Sequence, residues 1–316
     1  MLINIPKMLL SFFCTYRRHF LKYSLLTGLA CLSAISIDAV ARAQNNSSPK
    51  IVTTFLPIHL FTEAVVGETG QVEILISPGT EVHDYQATPD DAKILATADV
   101  LVENGLGIEG FLESLVANAG NSQLQQIVAS DRIEVIEEEA GEHGHHNEGG
   151  NPHVWLDPVL AQQQVANIRD RLIAIDPTNA DSYRTNGSAY IQQLQQLDSE
   201  FKQKLAPVKG CNFITFHDAF PYLAQRYGLK QEAIVEIPED SITPKDIQRV
   251  QQAAEQYQVK ALLTEPGIED KRIQQISSDL NLPLEAIDPM ESGETDPQYY
   301  FQVMRVNLAA LERACQ

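Results

Sequence analysis

The feature that most constrains this chain is one long stretch near its middle. From about Asn179 to Ala206, Tyr183, Tyr190, Ile191, Leu194, Leu197, Phe201 and Leu205 recur at helical spacing. About 28 residues at 1.5 Å each make a helix of roughly 42 Å, more than the width of a small domain. A coiled-coil strand is the competing reading, but only this stretch carries the pattern. The expectation is a spine that crosses two lobes.

On either side of the spine, short β-branched and apolar runs alternate with helical patterns, which argues for α/β lobes with largely parallel sheets flanked by helices. The length of 316 residues also suits two lobes better than one. Before the spine, Ile51–Leu56, Val72–Ile76, Val100–Glu103, Gln126–Val128 and Ile133–Ile136 read as strands. Thr88-Pro89-Asp90-Asp91 starts a helix with an N-cap hydroxyl, a proline in the first turn and two acids near the helix N-terminus. Asp157-Pro158 starts another, which Asp176-Pro177 ends. After the spine, strands are expected at Phe213–Phe216, Ala233–Glu236, Ala261–Thr264 and Leu284–Ile287. Helices are expected over Ala219–Tyr227, from Thr243-Pro244 to Tyr257, over Lys271–Leu280, and from Asp296-Pro297 to the end. The resulting organisation is a first lobe over 44–178, a connecting helix over 179–206 and a second lobe over 207–316.

Residues 1–43 read as a targeting segment to be cleaved after Ala43. Basic Arg17, Arg18 and Lys22 precede an apolar stretch from Tyr23 to Ile37, followed by Ala41-Arg42-Ala43. That stretch, about 15 residues, is short of the roughly 20 that span a bilayer. Tyr16-Arg17-Arg18-His19-Phe20-Leu21-Lys22 resembles a twin-arginine export signal, with an ordinary secretory signal as the alternative. A lipoprotein reading at Cys31 is weaker, because Gly28 stands where a branched apolar residue is expected. Export implies an oxidising compartment, in which the two cysteines beyond the segment, Cys211 and Cys315, are compatible with one disulfide. Two separate buried thiols are the alternative.

The net charge of −19 repels nucleic-acid phosphates and anionic lipid and favours a cationic ligand. Three histidines lie where the pattern places loops beside strand ends or helix starts. His83 follows a strand, His217 follows Phe213–Phe216, and His153 precedes the helix begun by Asp157-Pro158. Asp288 occupies the equivalent place after Leu284–Ile287. Ligands of open α/β sheets bind in the crevice beyond such strand ends. Neutral imidazole suits Zn²⁺, tetrahedral geometry takes four donors, and Asp288 would leave the loaded site with a single positive charge. Asp84 and Asp157 are candidates to accept the second ring N–H of His83 and His153. His59 reads as structural or surface. Within the first lobe, Glu137–Gly150 is a surface loop in which His143, His145 and His146 stand among five glutamates and could gather Zn²⁺ weakly, a merely solvated loop being the alternative.

The segments Ile51–Phe61, Ser77–Tyr85, Asn151-Pro152-His153-Val154-Trp155-Leu156-Asp157-Pro158, Thr215-Phe216-His217-Asp218-Ala219-Phe220, Thr264-Glu265-Pro266 and Ala286-Ile287-Asp288-Pro289 together resemble the zinc-binding branch of the metal-specific solute-binding proteins of ABC importers, the ZnuA-like proteins. The resemblance implies a periplasmic carrier, monomeric and without enzymatic activity, that takes Zn²⁺ into a cleft between two lobes joined by a rigid helix and hands it to a membrane permease. It places the first three ligands at His83, His153 and His217. Manganese-binding relatives carry a carboxylate at the third position, so His217 points to zinc. Some members carry Glu immediately before the first ligand, where this chain has Val82, which leaves the fourth donor between Asp288 and water. Three histidines with an open fourth position also describe a zinc hydrolase or lyase, but no His-Glu-x-x-His arrangement supplies a general base. A surface adhesin would retain the same metal site.

Overall fold

The computed structural model describes residues 48–136, 150–235, 243–266 and 271–316. The proposed targeting segment, and His143, His145 and His146 with the rest of their loop up to residue 149, lie outside the described residues. Among those described, no helix is long and apolar enough to cross a membrane.

Two four-stranded sheets, parallel throughout, carry the fold. The first is built from β1 (Ile51–Thr53), β2 (Val72–Ile74), β3 (Val100–Glu103) and β4 (Gln125–Val128) in the order β2-β1-β3-β4. The second repeats that order with β5 (Asn212–His217), β6 (Lys230–Val235), β7 (Leu262–Thr264) and β8 (Leu284–Ala286), arranged β6-β5-β7-β8. The central strands are apolar runs buried on both faces, as parallel sheets flanked by helices require: Val100, Leu101 and Val102 are all inaccessible.

The apolar run expected as one strand over Ile51–Leu56 divides in two. Only Ile51–Thr53 joins the sheet, and Leu56–Val66 forms a helix, α1, with Pro57 in its first turn, where no N–H is missed. Leu56, Ile58, Leu60, Phe61, Val65 and Val66 are buried around α1, so no polar face reveals the helical period. The strand expected at Ile133–Ile136 does not form either. Ile133 N–H donates to Ser130 in a turn, and Ile136 N–H donates to the Tyr222 hydroxyl, so neither joins a ladder.

The remaining helices follow their start signals more closely. α2 (Pro89–Ala96) opens on a reciprocal capping box between Thr88 and Asp91. The short α3 (Leu112–Ala119) lies between β3 and β4, and α4 (Pro158–Ile175) is capped by the Asp157 carboxylate, which accepts from Val159 N–H at 2.8 Å. The second half holds α6 (Pro221–Tyr227), α7 (Pro244–Tyr257) with a capping box of Thr243 and Asp246, α8 (Lys271–Leu280) and α9 (Tyr299–Cys315).

Between the halves runs α5, Ala180–Leu205, 26 residues and thus about 39 Å long. It bridges as the periodicity predicts. Tyr190 touches both halves: its ring lies 6.2 Å from Phe61 of α1 and 4.9 Å from Phe301 of α9, and its hydroxyl donates to Pro297. Phe201 packs 5.1 Å from Tyr227 of α6. Gly187 allows close approach to α4, since a Cβ there would meet Arg169 Cδ at 2.9 Å. One core cluster consequently runs from Ile51 and Phe61 through Leu194 and Phe201 to Phe213 and Tyr300. Cys211 and Cys315 form a disulfide with Cα atoms 5.7 Å apart, tying the start of β5 to the end of α9.

Candidate metal centre

Each histidine reaches the centre from a different element. His83 sits on the turn between β2 and α2, behind the inward-facing Val82, and its side chain is almost wholly buried. His153 precedes a short 3₁₀ turn (Val154–Leu156) ahead of α4, and His217 is the last residue of β5 rather than the first of the following loop. The ring centroids lie 5.2 Å (His83 to His153), 5.1 Å (His153 to His217) and 6.1 Å (His83 to His217) apart.

The fourth member is Glu291, on the loop between β8 and α9. One donor atom from each of His83, His153, His217 and Glu291 falls within 4.8 Å of all the others. Gly79, held at φ 85° as glycine readily allows, donates its N–H to the Glu291 carbonyl at 3.0 Å. This bond ties the His83 loop of one half to the Glu291 loop of the other. Trp155 adds a second tie, its indole N–H donating to the Pro289 carbonyl at 2.9 Å.

Hydrogen bonds decide which ring nitrogens carry protons. Asn151 uses its amide N–H₂ on Asp218, so its Oδ1 accepts from His153 Nδ1 at 3.1 Å. Glu265 Oε1 accepts from His217 Nδ1 at 2.5 Å. His153 therefore turns an unprotonated Nε2 inward, 3.3 Å from Nε2 of His217. Either a proton or a metal ion between the two nitrogens removes the repulsion of their lone pairs. Donors of a tetrahedral zinc with bonds of about 2.0–2.1 Å are themselves about 3.3 Å apart. His83 Nε2 is buried without a hydrogen-bond partner and lies 3.9 Å from Glu291 Oε1. Burial, with the neighbouring His217 adding to it, holds His83 down to about 4. His153 is held well below the usual imidazole range by burial first, then by His217 and His83. Both are therefore neutral imidazoles at physiological pH, the form that can donate to a metal ion.

Other residues singled out from the sequence lie elsewhere. Asp288 is not in the donor group; its Oδ1 accepts from Met290 N–H at 2.7 Å and shapes the turn that delivers Glu291. Asp84 is exposed, and Asp157 caps α4 and pairs with Arg226 at 2.7 Å. The groups that accept from the rings of His153 and His217 are instead Asn151 and Glu265. Both stand inside motifs quoted above, Asn151-Pro152-His153 and Thr264-Glu265-Pro266, which was the available signal. Glu291 had none beyond its place three residues after Asp288. His59 is buried with Nδ1 3.2 Å from the Thr53 hydroxyl, consistent with a structural role.

Fold and site together define a two-lobed binding protein with a rigid spine, its donor cluster drawn from both halves. The chain belongs to the family described as zinc-uptake complex component A, periplasmic (ZnuA), whose model matches residues 51–314. It is 33% identical over 274 residues to the high-affinity zinc uptake system protein ZnuA of Bacillus subtilis, covering 83% of this chain and 86% of that one. It is also 33% identical over 305 residues to the zinc-binding lipoprotein AdcA of Streptococcus pneumoniae, covering 92% of this chain but 60% of AdcA, so it spans well under the full length of that relative. The crystal structure of Zn(II)-bound AdcA from the same organism superposes with a TM-score of 0.73 at 31% identity, covering 85% of this chain and 58% of AdcA.

Proposed function

We propose that the protein captures one Zn²⁺ through His83, His153, His217 and Glu291 and delivers it, as a monomer on the outer side of the cytoplasmic membrane, to the permease of an ABC importer. The observation that carries this reading is the grouping of three imidazoles and a carboxylate within 4.8 Å, drawn from both halves of the fold. Membership in the zinc-uptake family and the zinc-bound state of a structural relative support it. Three imidazole nitrogens and one carboxylate oxygen suit a tetrahedral Zn²⁺ better than octahedral Mn²⁺ or Mg²⁺, which favour oxygen donors. A fourth protein donor also speaks for carriage over catalysis, because catalytic zinc keeps its fourth position for water or substrate.

Titration calorimetry of the protein from residue 44 onward is expected to give one tight Zn²⁺ per chain, abolished in a His153→Ala, His217→Ala double variant. Survival of the tight site in that variant would sink the assignment. Export is tested separately: if Arg17 and Arg18 form a twin-arginine signal, replacing both with Lys blocks secretion of the folded chain.

A further inference from the structure

We propose that Glu265 is a positioning residue for zinc: its carboxylate orients His217, strengthens that imidazole as a donor, and so sets how tightly the ion is held. The inference rests on the zinc-carrier reading of the site. Its basis is the register of the second sheet. Thr215 of β5 pairs with Leu263 of β7, so two residues further on Glu265 stands beside His217 on the neighbouring strand. Parallel strands are about 4.8 Å apart, within reach of a glutamate side chain. Pro266, next in sequence, biases Glu265 toward extended backbone and fixes the direction from which the carboxylate approaches.

A single oxygen, Glu265 Oε1, accepts from both the ring Nδ1 (2.5 Å) and the backbone N–H (3.4 Å) of His217. Glu265 is 7% exposed and His217 is inaccessible, so little water competes for these bonds. His153 is held in the same two-point manner, but by the neutral amide oxygen of Asn151. The two inward Nε2 atoms therefore differ in what stands behind them, a carboxylate for His217 and an amide for His153. A carboxylate accepting the distal N–H makes an imidazole more basic and fixes its tautomer. Glu265 behind His217 and Glu291 in the donor group both place negative charge where a divalent cation would sit.

Glu265→Gln keeps an acceptor oxygen and removes the charge, whereas Glu265→Ala removes both and Glu265→Asp keeps the charge on a shorter arm. Zn²⁺ affinity is read by chelator competition, ligand geometry by the visible absorption of Co²⁺ bound in place of Zn²⁺, and fold by the melting temperature of metal-free protein. Loss of such a partner costs about ten- to hundredfold in metal affinity. The Gln variant is expected near the lower figure and the Ala variant near the upper, both with a displaced Co²⁺ spectrum, and the Asp variant between Ala and the parent. The metal-free Gln variant should melt with the parent. Parent-like zinc affinity and Co²⁺ spectrum in the Gln variant would overturn the proposal. A lowered metal-free melting temperature with an unchanged Co²⁺ spectrum would also overturn it, leaving Glu265 a strand-joining role. Absence of tight zinc binding in the parent protein would instead refute the carrier reading itself.

Discussion

Glu291 and Asp288 compete for one role and are three residues apart, which makes their exchange a sharp test. The perturbations are Glu291→Gln and Asp288→Asn, each replacing a carboxylate with an amide of nearly the same shape. Four-donor structural zinc sites bind Zn²⁺ with about 10–16 kcal/mol of apparent free energy, or roughly 3 kcal/mol per donor when shared equally, and that share sets the scale expected here. Glu291 is the only carboxylate in the donor group, so its loss should weaken binding by about that amount, on the order of a hundredfold. Asp288→Asn should leave affinity near the parent value. Its Oδ1 accepts the Met290 N–H as an amide oxygen can, and burial already raises its carboxyl from the ordinary value, so neutralising it costs little. Trp155 provides the assay. It is the single tryptophan of the chain, and its ring lies 5.0 Å from the His153 ring, so its emission should report metal during titration against a chelator. Equal weakening in both variants, or weakening in Asp288→Asn alone, would refute the placement of Glu291 as fourth donor.

Three further outcomes follow from the fold. Glu109 is buried and accepts from the Thr54 hydroxyl and from the N–H groups of Asn104 and Gly105, yet burial raises its carboxyl from 4.5 to about 7. The native state therefore holds this proton more tightly than the unfolded chain. The resulting stability is complete below pH about 4.5 and is lost, by about 3 kcal/mol, as pH rises through 7. Urea midpoints across that range should fall more steeply in the parent than in Glu109→Gln. Cys315→Ser opens a link between residues 104 apart and should cost roughly 3–5 kcal/mol in denaturation. Zinc affinity should be unchanged, because Cys211 lies six residues, about 20 Å of strand, from His217. Phe201→Ala, in the buried face of α5, should destabilise by about 3–5 kcal/mol in a single cooperative transition, since the core it joins runs through both halves; two separated transitions would contradict a continuous core.

Parts of this architecture governed by local rules could be read from the chain. Thr88, Thr243 and Asp157 cap helices through side-chain bonds made within three residues, and the spacing of Tyr183, Tyr190, Leu194 and Phe201 suffices to mark α5. The period of α1 was concealed because that helix is apolar nearly all round and buried, so its residues pattern like an interior strand. The site divides in the same way. His83, His153 and His217 were legible because each stands at a boundary that local signals mark. Asp157 misled because one carboxylate near a ligand can serve the helix start instead, and here it caps α4 and pairs with Arg226.

Glu291 was not legible, and the reason lies in how the site is assembled. Its side chain reaches the cluster because the chain leaving β8 turns on Asp288 and is held against the His83 loop by the Gly79 N–H, a contact between residues more than two hundred positions apart. Nothing local encodes that contact. The same geometry brings donors from both halves, His83 and His153 from one and His217 and Glu291 from the other, into one cluster, with α5 and the continuous core packed between the two sheets. On such a frame the expected outcome is that the short loops holding His83 and Glu291, rather than lobe movement, control metal release. Substituting Gly79 tests that step: with φ at 85°, Gly79→Val strains the turn and should speed zinc release while leaving the metal-free fold's melting temperature largely intact. Unchanged release in that variant would return the movement to the lobes.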